Sequence, residues 1–147
     1  MALWEWALEV YARPRVAELC LELQEDHGQS VSYLLWAAWA RRSDPLLLTR
    51  GADIARRWEV QALAHIRSAR RGLKPGFPGV ADAERESLRA EVKAAELRAE
   101  RVLIDALEAM GGPVDGADVL PALQVASTAW GIVAPVKALA ALADALS

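Results

Sequence analysis

SVSYLLWAAWARR, residues 30–42, decides the fold. From Val31 to Ala40 its only clearly polar groups are Ser32 and the Tyr33 hydroxyl. At about 100° per residue, Leu34 and Ala38 point one way, Leu35 and Trp39 a second, and Trp36 and Ala40 a third. A helix that is apolar on every side must be covered on every side. The run is too short to span a membrane, which takes roughly 20 apolar residues. It therefore reads as the buried central helix, Ser30 to Arg42, of an all-α, single-domain bundle of five to seven helices. Gly28 can end the preceding helix and Ser30 can cap this one. Arg41 and Arg42 are placed in the last turn, where positive charge suits the helix dipole.

Outward from that stretch, Leu3 to Ala12 reads as a helix with Leu3, Ala7, Val10 and Tyr11 on one face. Arg13-Pro14 interrupts it. Pro14 suits the first turn of a second helix running to about His27, with Val16, Leu19, Cys20 and Leu23 as its buried stripe. Ser43 to Gly51, with its Pro and Gly, reads as a connection in which Leu46, Leu47 and Leu48 form a short turn. A fourth helix follows from about Asp53 to Leu73, its stripe being Ile54, Trp58, Ala62, Ile66, Ala69 and Leu73. Arg56, Arg67, Arg71 and Lys74 lie broadly opposite that stripe. KPGFPGV, residues 74–80, is the clearest loop. Asp82 then caps a fifth helix to Met110, with Leu88, Val92, Ala95, Ala99, Val102, Ala106 and Met110 at spacings of three and four, and Gly111-Gly112-Pro113 stops it. Residues 119–136 carry no charge, but Pro121, Gln124, Ser127, Thr128, Gly131 and Pro135 break the run. Two core-covering helices are expected there, Asp118 to Ile132 and Pro135 to Leu146, within one domain spanning 1–147.

The single cysteine, Cys20, excludes an internal disulfide. The N-terminus has acids and no early cation, unlike a signal peptide. A cytoplasmic protein without membrane attachment is expected. Net charge is −3, unevenly spread. Residues 1–40 carry −4, residues 41–75 carry +6 and residues 76–147 carry −5.

One ordered set of motifs resembles a known family. Leu3-Trp4, Tyr11-Ala12-Arg13-Pro14, Cys20-Leu21-Glu22-Leu23-Gln24, Gly28, Val31 and Leu34-Leu35-Trp36 carry it through the first third. Trp58, then Ile66, Arg67, Arg70, Arg71 and Lys74, then Ala95-Glu96-Leu97 and Ala99-Glu100-Arg101 continue it. The family is one of small bacterial proteins catalogued as Domain of Unknown Function 2390. The resemblance covers about the first two thirds of the chain (1–110 being the family-like core and 114–147 the apolar cover). It implies an all-helical fold and brings no activity with it. The family pattern often has Asp-Val-Asn where this chain has Ser30-Val31-Ser32. Ser30 still caps, but Ser32 cannot make both halves of an amide pairing. Any role of that Asn in the family is lost or changed here.

Few residues point to chemistry. His27, His65 and Cys20 have no metal-ligand spacing, and neither metal nor cofactor is expected. His65 at the stripe's edge reads as a hydrogen-bonded, half-buried side chain. Glu96 and Glu100, four apart, could form a carboxylate pair, but the Glu-x-x-His of a ferritin-type site is absent. Cys20 sits on an apolar stripe, where a thiol is packing. The sharpest cluster is Arg67, Arg70, Arg71 and Lys74, able to bind phosphate, nucleic acid or an acidic protein. The alternative is ion pairing of Arg67 or Arg71 with Glu96 or Glu100 across the loop, and the antiparallel register favours Arg67–Glu96 over Arg71–Glu100. Trp6, off the main stripe of its helix, is the candidate for an exposed interface anchor. The expectation is a non-enzymatic protein that binds a partner protein, itself or another. A phosphate or nucleic-acid module on the arginine cluster is the alternative, and an enzyme built on Glu96 and Glu100 the second alternative.

Overall fold

A computed structural model describes residues 1–147. It contains α1 (Leu3–Tyr11), α2 (Val16–His27), α3 (Val31–Ala40), α4 (Pro45–Trp58), a π-helical segment (Glu59–Leu63), α5 (Ala64–Gly72), α6 (Asp82–Met110), α7 (Val119–Trp130) and α8 (Val136–Leu146). The fold is an all-helical bundle with no strand.

The centre is α3. Tyr33, Leu34, Leu35, Trp36, Ala37, Ala38 and Ala40 are all buried, because α1, α2, α4, α6 and α7 surround the helix. A buried tryptophan or tyrosine needs a partner for its polar atom. Trp36 Nε1 donates to the Gly111 carbonyl at 3.2 Å. The Tyr33 hydroxyl lies 3.0 Å from the Leu48 carbonyl and 2.9 Å from that of Ala126, either of which accepts its proton. An unpaired buried hydroxyl would cost about 1–3 kcal/mol. Ser30 caps the helix by accepting from the Tyr33 N–H. At the other end the expected boundary shifts. Arg41 is the C-cap, in the left-handed conformation with φ 52°. Arg42 lies beyond it, and its Nε donates to the Gly112 carbonyl at 2.8 Å. That bond ties the end of α3 to the loop that stops α6.

Two connections also differ from expectation. Pro14 does not enter α2, because Arg15 takes a left-handed conformation and the helix starts at Val16. The stretch read as a loop from Ser43 to Gly51 is mostly helix. Asp44 caps it by accepting from the Leu46 N–H, and Pro45 occupies the first turn, where its missing N–H costs nothing. Leu48 is fully buried. Gly51 is inside α4 because the Trp36 ring presses against it: a Cβ there would come within 2.4 Å of Trp36 Cζ3.

From α4 the helix runs unbroken through the π segment into α5. An i→i+5 turn holds an extra residue and rotates every face after it. The uniform stripe drawn through this region is therefore off by part of a turn. Leu63 is the buried residue of the π segment, while Ala69 and His65 are exposed. The loop 74–80 turns the chain back, and α5 packs against α6. Arg85 closes this hairpin, donating to the Leu73 and Lys74 carbonyls at 2.8 and 2.9 Å. These are carbonyls that the end of α5 leaves without helical partners. On α6 the buried positions are Ala99, Leu103, Ile104 and Leu107, so the outer half of the helix, with Leu88 exposed, projects past the core.

The uncharged C-terminal stretch forms α7 and α8, close to the expected bounds. Helix α7 lies against α3 and α4, and α8 against α2 and α7. Ser127, read as an interruption, is fully buried. Its Oγ donates to Gln29 Oε1 at 3.0 Å and accepts from the Ala134 N–H at 2.7 Å. Gln29 Nε2 donates to the His27 and Ile132 carbonyls. This satisfied polar network locks the α2–α3 corner to the α7–α8 corner. No helix is long and apolar enough to cross a membrane.

Candidate functional site

A cleft of about 480 Å³ opens beside the N-terminal end of α3. Its floor is apolar, with Leu8 from α1, Val31 and Leu35 from α3, and Leu63 from the π segment. Its polar wall comes from Tyr11, Glu25, Ser30, Ser32, Glu59, Arg67, Arg71 and Glu100. An apolar floor with converging polar groups above it is a form that ligand sites take.

Leu63, Arg67 and Arg71 recur every four residues, so they descend one face from core to solvent. Glu59 and Arg67 are eight apart, which in an unbroken α-helix would set them about 80° off one another. The π turn takes up part of that offset, and Arg67 Nη1 reaches Glu59 Oε1 at 2.7 Å. Wide turns of this kind occur often at functional sites. From α6, Glu96 accepts from Arg67 Nε at 3.4 Å and from Arg70 Nε. Side-chain exposures of 17% for Arg67 and 14% for Glu96 make this a largely buried cluster. Burial works against the charge of Arg67, but Glu59 and Glu96 outweigh it and hold the guanidinium pKa above its usual value.

Glu100, one turn further along α6, is different. It takes part in no hydrogen bond or ion pair with the protein, and its surroundings act on it through burial and through space. Burial is the main effect and raises its pKa. The negative charge of Glu96 raises it further and Glu59 adds to that, while Arg67 and Arg70 pull it back only in part. Tyr11, across the cleft, is also pushed up, by burial first and then by Cys20 and Glu100. Cys20 itself is pushed up to about 12 by burial, which leaves it an inert thiol at neutral pH.

The candidate residues thus divide. Arg67, Arg70 and Glu96 are joined in ion pairs. Arg71 lines the cleft on its exposed side, and Arg71 and Glu100 form no ion pair with each other. Lys74 is exposed in the turn after α5. Trp6 is half-buried and packed against the core, close to Trp39 and Val114 in a small hollow. Sequence reasoning missed Glu59, whose role depends on the π turn. It also missed that Ser30 and Ser32, noted as departures from the family pattern, would border the same cleft as Arg67 and Glu100.

No curated protein and no solved structure matches the chain. The family model described as protein of unknown function (DUF2390) matches residues 2–107. The chain belongs to that family, and the match ends within α6, before α7 and α8.

Proposed function

We propose that this member of the family works by reversible binding, and that the cleft beside Arg67 and Glu100 receives a small polar molecule. The observation that carries this reading is Glu100. A carboxyl group with raised pKa, without a protein partner and open to a cavity, is poorly explained by folding alone. Glu96, one turn away, is by contrast held by two arginines. Catalysis by a Glu96/Glu100 pair gains little support, because Glu96 is already engaged by two arginines. A phosphate or nucleic-acid surface gains little either. Of the four expected cations, Arg67 and Arg70 are ion-paired, leaving Arg71 and Lys74, and binding to a phosphate backbone rests on many such contacts.

The test is a fragment library of anions, cations and neutral molecules, screened by amide NMR on the full chain. Shifts confined to Gly28, Ser32, Leu63 and their neighbours support the cleft. A ligand at 100 times its dissociation constant should also stabilise the fold by about 2.7 kcal/mol. If no fragment of any charge moves those amides, the reading fails.

A protein partner, whether a second copy or another chain, is the second reading. It is favoured by Phe77, Val80 and Leu88, which stand exposed at the outer end of the α5–α6 hairpin. Phe77→Ser should then weaken association seen by sedimentation. An unchanged mass distribution at high concentration in wild type and variant counts against it.

A further inference from the structure

We infer that the cleft takes a small alkylammonium compound, with its cationic nitrogen on Glu100 and its carbon chain along Leu8, Leu35 and Leu63. The inference rests on the cleft being a binding site and names the class of ligand. Three carboxyl groups line the cavity, Glu25, Glu59 and Glu100, against two guanidinium groups, Arg67 and Arg71. Arg67 does not offer its charge to an anion, because Glu59 and Glu96 already hold it. Arg71 is then the one cation at the rim left for a negative group. Glu100 has the opposite status, being half-buried and bonded to nothing in the protein. The hydroxyls of Ser30, Ser32 and Tyr11 border the same space and can accept the remaining N–H groups of an ammonium. A charge-assisted bond from N–H to a shielded carboxylate is among the stronger contacts available to a small ligand. The leucine floor suits a short methylene chain.

Ammonium binding should depend on pH in a defined sense. The charged groups facing Glu100 are Glu25 from α2, Glu59 from the π segment, Arg67, Arg70 and Arg71 from α5, and Glu96 on its own helix, with the phenol of Tyr11 from α1. Burial, Glu96 and Glu59 together keep the Glu100 proton on to a higher pH than usual. An ammonium must displace that proton, so its affinity rises with pH across the range in which Glu100 ionises.

The experiment titrates the labelled full chain with n-butylamine and 1,4-diaminobutane, and with n-butanol, butyrate and inorganic phosphate as controls. The two amines are expected to shift the cleft amides, more tightly at pH 7.5 than at pH 5. Glu100→Gln, folded by its amide spectrum, should weaken them at least tenfold. Arg71→Gln removes the cation at the rim and should tighten amine binding, and weaker binding overturns the assignment. Nα-acetyl-lysine methylamide stands for a side chain of a partner protein, and tighter binding of it than of n-butylamine overturns the free-amine assignment. Cleft shifts with butyrate or phosphate but none with amines leave the binding site standing and overturn its ligand class. Undiminished amine binding in Glu100→Gln overturns the assignment as well. A cleft silent to every probe removes both the site and the inference.

Discussion

Gly51 and Trp36 form a lock of two residues. The indole is fully buried, and the place a Gly51 side chain would take is filled by its ring. In an exposed helix, Gly→Ala stabilises by roughly 1 kcal/mol through the backbone alone. Here the added methyl must displace a ring that has nowhere to go, and overpacking costs about 1–3 kcal/mol. Gly51→Ala should therefore lower the melting temperature, by roughly 2–4 °C for each net kcal/mol. A variant melting at or above wild type contradicts this packing. The same pair explains what the sequence could and could not convey. An all-apolar run identifies a buried helix without further help, so Trp36 is readable as core. Gly51 is a turn signal on its own, and only its neighbour across the bundle shows it to be a clearance. Pro45 misleads in the same way, since a first-turn proline and a loop proline look alike in sequence.

Among the elements, the antiparallel α5–α6 hairpin determines the site. Glu96 accepts from two arginines, and Arg67 donates to two glutamates. Removing Glu96 leaves Arg67 on Glu59, and removing Arg67 leaves Glu96 on Arg70, so either loss costs less than the about 3–5 kcal/mol of a stranded buried charge. A double-mutant cycle of Arg67→Met and Glu96→Gln should show coupling above about 1 kcal/mol, the upper limit for exposed pairs. Chemical denaturation of the four proteins measures it, and additive effects would place the cluster in solvent. The Arg67–Glu96 register could be read from the loop length, because antiparallel helices joined by a short loop have a calculable register. The face of Arg67 could not, because the π segment breaks the 3.6-residue period on which such reading depends. The sequence between Glu59 and Leu63 carries no Pro or Gly to announce it.

Across the whole molecule, the uneven charge of the sequence becomes partly paired when α5 folds onto α6, while α7 and α8 complete the core. Leu123, Leu139 and Leu142 are buried, so deleting residues 118–147 should uncover apolar surface and give a protein that aggregates on gel filtration. A monodisperse, cooperatively melting fragment would show the family-matched segment to be self-sufficient. The cleft leaves a mark on the stability of the entire fold through Glu100. Its folded-state pKa lies above its ordinary value, so the fold carries no penalty from it below the usual glutamate range, about 4.3. The penalty grows as pH rises from that range to the raised value and then levels off, because the native state must ionise a shielded group. A glutamine of the same shape has no charge to bury. Thermal melting of wild type and Glu100→Gln from pH 4 to pH 8 therefore tests whether this carboxyl is held for a ligand rather than for the fold. Equal melting is expected near pH 4, with a glutamine variant that melts above wild type by an amount that grows up to the raised value and stays constant beyond it. A glutamine variant that melts below wild type at pH 8 would contradict it, making Glu100 a structural residue and the cleft a packing gap.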